Sequence, residues 1–136
     1  MSFNHNQNHT YEEIEKVLSL IHDCVEKNRY KIVINENRKE NISFIEEYQL
    51  FPEEQRKILM GITVEDFCHT VKNKKREYQH EILYIFCPKV ILYDVFDEEC
   101  QVVVYIKFNI IKKHEECHTI VISFHKANKP VHYFFV

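Results

Sequence analysis

The chain has 136 residues, enough for one hydrophobic core and too few for two ordinary domains. At 45% hydrophobic residues it has a globular composition, and its apolar residues are never collected into a block long enough to span a bilayer. A net charge of −3, with nine histidines counted neutral, excludes a globally basic nucleic-acid binder, so any RNA site must be local.

The opening MSFNHNQNHT has neither the charged start nor the apolar stretch of a secretory signal, which predicts an intracellular, cytoplasmic protein. Residues 1–9 are polar and Asn/His-rich and predict a disordered tail without a role, leaving 10–136 as a single domain. Thr10-Tyr-Glu-Glu13 is a capping box, and Ile14, Val17, Leu18, Ile21 and Val25 follow at helical spacing, so a first helix is expected to about Lys27. Asn37-Arg-Lys-Glu40 repeats the capping logic ahead of an apolar stripe of Ile42, Ile45 and Tyr48. A third, short helix starts at Pro52 and stops at Gly61, the single glycine of the chain. Thr63-Val-Glu-Asp66 reads as one more capped turn, with Phe67 as its anchor, and closes the helical half.

Beyond the basic segment Lys72 to Arg76 the apolar period changes from helical to alternating. EILYIFC, KVILYDVF, CQVVVYIKFNII and TIVISFH are β-branched and aromatic runs, with VHYFFV as a candidate fifth. The intervening loops, at Pro88, at residues 97–99 and at 112–116, suit antiparallel hairpins. Helices followed by strands predict an α+β fold, with the helices on one face of an antiparallel sheet of four to five strands. The five cysteines, Cys24, Cys68, Cys87, Cys100 and Cys117, are odd in number and widely spaced with no CxxC, as expected of reduced thiols.

Alternation sends Val102, Val104, Ile106, Phe108 and Ile110 to one sheet face, and Tyr105, Lys107 and Asn109 to the other. In the last strong run it separates Ile120, Ile122 and Phe124 from Val121, Ser123 and His125. Pairing Ile110 with Ile120 sets Tyr105 opposite His125 and Lys107 opposite Ser123. The plainer reading of such a patch is a solvated outer face. The sharper reading notes that an imidazole, a phenol and an ammonium together can serve a phosphate without metal or cofactor. The cluster His114, Cys117 and His118 offers three candidate ligands without a fourth nearby, so no metal site is assigned.

The order GITVEDF, H, EILY, VYIKFNI, IVISFH resembles the MqsR family of toxin–antitoxin toxins, mRNA endoribonucleases of the RelE superfamily. The resemblance runs over residues 11–136 in element order and is sharpest at 61–67, 104–110 and 121–126. It implies a RelE-like fold, a single-stranded mRNA substrate and a cognate antitoxin protein as partner, with no membrane. The family's lysine after the Asp-Phe pair falls on His69, and its glutamine before the first strand falls on Glu81 or the neighbouring His80. Its strand tyrosine falls on Tyr105, and its lysine after the final Ser-Phe falls on His125, with Lys126 next. Tyr105 alone is identical, and two lysine-to-histidine changes keep the cationic capacity while favouring proton transfer near neutrality.

These residues give a catalytic set of His69, Glu81, Tyr105, Lys107 and His125. Lys72, Lys74, Lys75, Arg76, His80 and Lys126 are the expected RNA contacts, and no cofactor is required. His69 and His125 divide the acid and base roles, Lys107 or Lys126 balances phosphate charge, and Tyr105 orients the phosphate. Two alternatives stand beside this: an interferase that cuts mRNA only on the ribosome, and a non-catalytic protein- or RNA-binding module that docks through the edge of CQVVVYIKFNII.

Overall fold

The computed structural model describes residues 8–73 and 81–136. The fold is α+β. Three α-helices, α1 (Tyr11–Glu26), α2 (Lys39–Glu47) and α3 (Pro52–Met60), pack with six strands. The strands are β1 (Tyr30–Ile32), β2 (Phe67–Lys72), β3 (Ile82–Phe86), β4 (Lys89–Tyr93), β5 (Glu99–Lys113) and β6 (Glu116–Lys126). The sheet runs β1-β6-β5-β3-β2, with β4 also paired to β5.

The helices start and stop where local chemistry directs. The Thr10 hydroxyl accepts from the Glu13 amide at 3.0 Å, Pro52 opens α3, and Gly61 ends it in an ordinary right-handed conformation. Helix α2 differs from expectation: Asn35 rather than Asn37 caps, through a short 3₁₀ turn at Glu36–Arg38. Its buried face is Asn41, Phe44 and Tyr48 instead of a stripe through Ile42. Asn41 is fully buried because it serves the backbone. Its amide nitrogen donates to the carbonyls of Val33 (2.8 Å) and Ile122 (3.0 Å), and its oxygen accepts from the Phe124 amide (2.9 Å). Those bonds fasten the start of α2 to β6, satisfying strand groups that have no neighbouring strand.

The sheet is mixed and larger than alternation predicts. The three-residue β1 lies parallel to β6, and FCHTVK, where the capped turn anchored by Phe67 is expected to close the helical half, is the strand β2, paired antiparallel with β3. Strands β3 and β4 do not form a hairpin with each other; both pair with β5, one after the other along its length. From Val104 on, the long strand β5 is paired to β6 and lies inside the sheet, whereas residues 99–103 pair with β4 alone. The run VHYFFV is not a strand. It continues residues 127–130 as an irregular strap, anchored where the Phe134 amide donates to the Phe67 carbonyl at 2.9 Å.

One face of the sheet makes the main core. Val102, Val104, Ile106, Phe108, Val121 and Phe124 pack against Ile14, Ile21, Phe44 and Leu59 of the helices. Burying each such side chain contributes roughly 1.5–3 kcal/mol. His9, expected to have no role, is instead 8% exposed, bonded to Glu13 and Thr70 and edge-on to Phe67 and Phe134.

Candidate active site

The face turned away from the helices is organised in rows. His69 pairs with Ile85, Ile85 with Lys107 and Lys107 with Ser123, so these four residues cross β2, β3, β5 and β6 in one line. Tyr105 and His125 form the neighbouring pair, and side chains in adjacent rows stand about 6.6–6.8 Å apart. The pairings expected at Tyr105 and Lys107 are present, but Ile110 faces Thr119, not Ile120. A β-bulge accounts for this: Ile122 is the extra residue, and beyond it the alternation of β6 reverses. Val121, expected on the polar face, is consequently core, and Ile120 is not.

A cleft of about 820 Å³ opens on this face. Cys68, His69, Ile85, Cys87, Tyr105 and His125 line it from the sheet, and residues 127–132 wall it from the strap. The strap is held by Tyr133, whose hydroxyl donates to the Cys87 carbonyl at 2.7 Å, and by Lys89, 5.3 Å above the Tyr133 ring.

Burial contributes to the shifts of three titratable groups in the cleft, His69, Tyr105 and Cys68. Burial lowers the pKa of His69 below the usual histidine range, and the charge of Lys107 in the same row lowers it further, so the ring is neutral at pH 7. Tyr105 is pushed up to about 12, by burial first and then by Cys87 and Cys68, and keeps its proton. The His125 ring stacks on Tyr105 with centroids 5.4 Å apart and planes at 18°. Its Nδ1 donates to the Lys126 carbonyl at 2.8 Å, which assigns the proton of the neutral ring to Nδ1. Its Nε2 faces Glu40 of α2 at 4.0 Å, and Glu40 also accepts from Asn128 of the strap at 3.0 Å.

The structure thus brings together His69, Tyr105 and His125, with Lys107 in the His69 row. Glu81 stands apart. It lies four residues from Ile85 along β3, about 13 Å, and accepts from Asn73 (2.8 Å) and Asn109 (3.2 Å), which suits a role in holding the strand ends. Lys126 points to the helix side, where its ammonium meets Glu47 at 2.9 Å and sits over the Tyr48 ring, so it is corrected from the cleft to the opposite face. Lys72 ends β2 in register with Ile82, one residue out of phase with the His69 face. Lys74, Lys75, Arg76 and His80 lie outside the described residues.

Sequence reasoning missed the paired thiols of Cys68 and Cys87, the strap residues and Glu40. The thiols are hydrogen-bonded, which together with burial raises Cys68 and keeps it protonated. The two residues also share one acceptor, the Asp66 carbonyl, which takes the Cys87 backbone amide at 2.8 Å and the Cys68 thiol at 3.6 Å. The alternation that would mark β2 is weak, because Cys68, His69 and Thr70 are small or polar and a bulge between Phe67 and His69 brings Cys68 and His69 to the same cleft. Among the described residues no helix is long and apolar enough to cross a membrane. Comparison with family models, curated proteins and solved structures gives no match for this chain.

Proposed function

We propose that the protein is a metal-independent endoribonuclease that cuts single-stranded mRNA, acting as the MqsR-like toxin of a type II toxin–antitoxin pair in the cytoplasm. The observation that carries this reading is the convergence of His69, Tyr105 and His125 on one cleft, with Lys107 in the same row as His69. Cleavage by 2′-OH attack needs a base, an acid and a stabiliser of phosphorane charge, and these four side chains supply all of them.

In this reading neutral His69 takes the 2′-OH proton as the 2′-oxygen bonds to phosphorus. The bond from phosphorus to the 5′-oxygen breaks, and His125, protonated in the reactive form and faced by Glu40, gives its proton to that oxygen. Tyr105, held as a phenol, donates to a non-bridging oxygen, and Lys107 balances its charge. The products are a 2′,3′-cyclic phosphate and a 5′-hydroxyl. Glu81 and Lys126 take no proton-transfer step. A cognate antitoxin would silence the enzyme by covering the cleft.

The test is incubation of purified protein with a naked, unstructured RNA in EDTA, with the product ends analysed. Cyclic-phosphate ends are expected. Their absence on naked RNA, with cutting restored on translating ribosomes, would replace this reading by a ribosome-dependent interferase; no cutting in either setting would leave a binding module.

A further inference from the structure

Strands β4 and β5 continue past the rest of the sheet as a two-stranded arm, joined by a turn at Asp94–Glu98. Eight large hydrophobic side chains are exposed among the described residues, and four of them fall within six positions of this arm: Ile91 (50%), Tyr93 (55%), Val95 (56%) and Phe96 (79%). A concentration of that kind marks an interaction surface, whereas single exposed apolar residues are ordinary. Ile91 and Tyr93 alternate with Val90 and Leu92, which pack on the main core, so the exposed pair forms one apolar face on the arm.

Two further observations describe what fits it. First, β4 pairs with β5 alone, and among the described residues the peptide groups along its other side have no strand partner. Such an edge accepts an extended segment as an added strand. Second, the arm is acidic. Asp94, Asp97, Glu98 and Glu99 surround the apolar tip, and no ion pair reaches any of them among the described residues. Asp94 is engaged in the turn, accepting from the amides of Phe96 and Glu98 at 2.9 Å, and the other three acidic residues, Asp97, Glu98 and Glu99, are exposed. A second copy of the chain pairing edge to edge would offer each tip a single cation, Lys89, which already lies over Tyr133.

We infer that the β4–β5 arm is a docking surface for a protein segment that is extended, basic and apolar in alternation, added as a strand to β4. Apolar residues of the segment cover Ile91, Tyr93 and Phe96, and its lysines or arginines meet Asp97, Glu98 and Glu99. This surface is separate from the cleft, and its use does not depend on RNA cleavage.

The experiment is an NMR titration of the isotope-labelled chain with a synthetic peptide of alternating valine and lysine, and with its valine–glutamate counterpart. Perturbation of residues 89–99 by the lysine peptide alone, weakened about tenfold by Phe96→Ser and by Asp97→Lys/Glu98→Lys, is expected. Equal binding of both peptides, or perturbation elsewhere only, would overturn the inference. Sedimentation of the unliganded chain completes the test: a dimer abolished by Phe96→Ser would assign the arm to a second copy and overturn it as well.

Discussion

The two faces of this sheet are built from the same strands and differ in almost every physical respect. On the helix side, Phe67, Phe86, Phe108 and Phe124 are completely buried, and the successive ring contacts Phe67–Phe86 and Phe86–Phe108 lie at 5.5 and 5.9 Å. On the other side, the same strands present His69, Lys107, Tyr105 and His125, and an irregular strap walls the cleft that His69, Tyr105 and His125 line. The first face satisfies the requirement for a core and leaves the second free to hold polar groups. The partial cover of the strap then shifts their chemistry, holding His69 neutral and Tyr105 protonated. Adjacent residues can thus have opposite duties: His125 belongs to the cleft, and Lys126, one position on, belongs to α2.

Substitutions should separate the faces. His125→Ala is expected to slow RNA cleavage by about 10²–10⁴ while changing stability by about 1 kcal/mol or less, the lost stacking on Tyr105. Phe124→Ala should do the reverse, destabilising by about 3–5 kcal/mol in urea denaturation, with activity falling only as the folded fraction falls. Asn41→Ala should cost about 1–3 kcal/mol, because the buried Phe124 amide loses its acceptor while two carbonyls lose a donor.

The pH dependence sharpens the contrast. A base with a depressed pKa works until pH falls through that value, so the acid limb of the cleavage profile should lie below the ordinary histidine value of 6.5. Lys107→Met removes one of the two lowering causes and should move that limb upward. The same depression makes folding bind fewer protons than unfolding, as it does at His22, whose burial lowers it. Both histidines therefore contribute stability above pH 6.5 that is lost as pH falls through their folded values. The smallest effect belongs to Lys126→Ala, which removes an exposed ion pair with Glu47 and should alter stability by about 0.2–1 kcal/mol.

Much of this arrangement was legible in the residues. Local signals were reliable where one residue type has one use: the Thr10 cap, Pro52 at a first turn, Gly61 at a helix end. Alternation along β5 separated Val104, Ile106 and Phe108 from Tyr105 and Lys107 because the strand is long and regular. The pairing of Tyr105 with His125 was reached from a register that is wrong at its other end, since the bulge at Ile122 compensates within the same strand. A bulge leaves no mark in a β-branched run, so the placement of Val121 could not be read. Strand β1 was hidden by its three-residue length, whereas the placement of Lys126 on the face opposite His125 follows from alternation along β6. The strap was hidden because its aromatic residues, Tyr133 to Phe135, are half-buried against the core and read as a strand.

The division between faces is tested most directly by cleavage of one unstructured RNA, in EDTA, by His125→Ala and Lys126→Ala beside the wild type, with all three shown to be folded. The account predicts a loss of at least about a hundredfold in the first and less than about twofold in the second. Equal losses in the two variants, or an undiminished rate in His125→Ala, would contradict it.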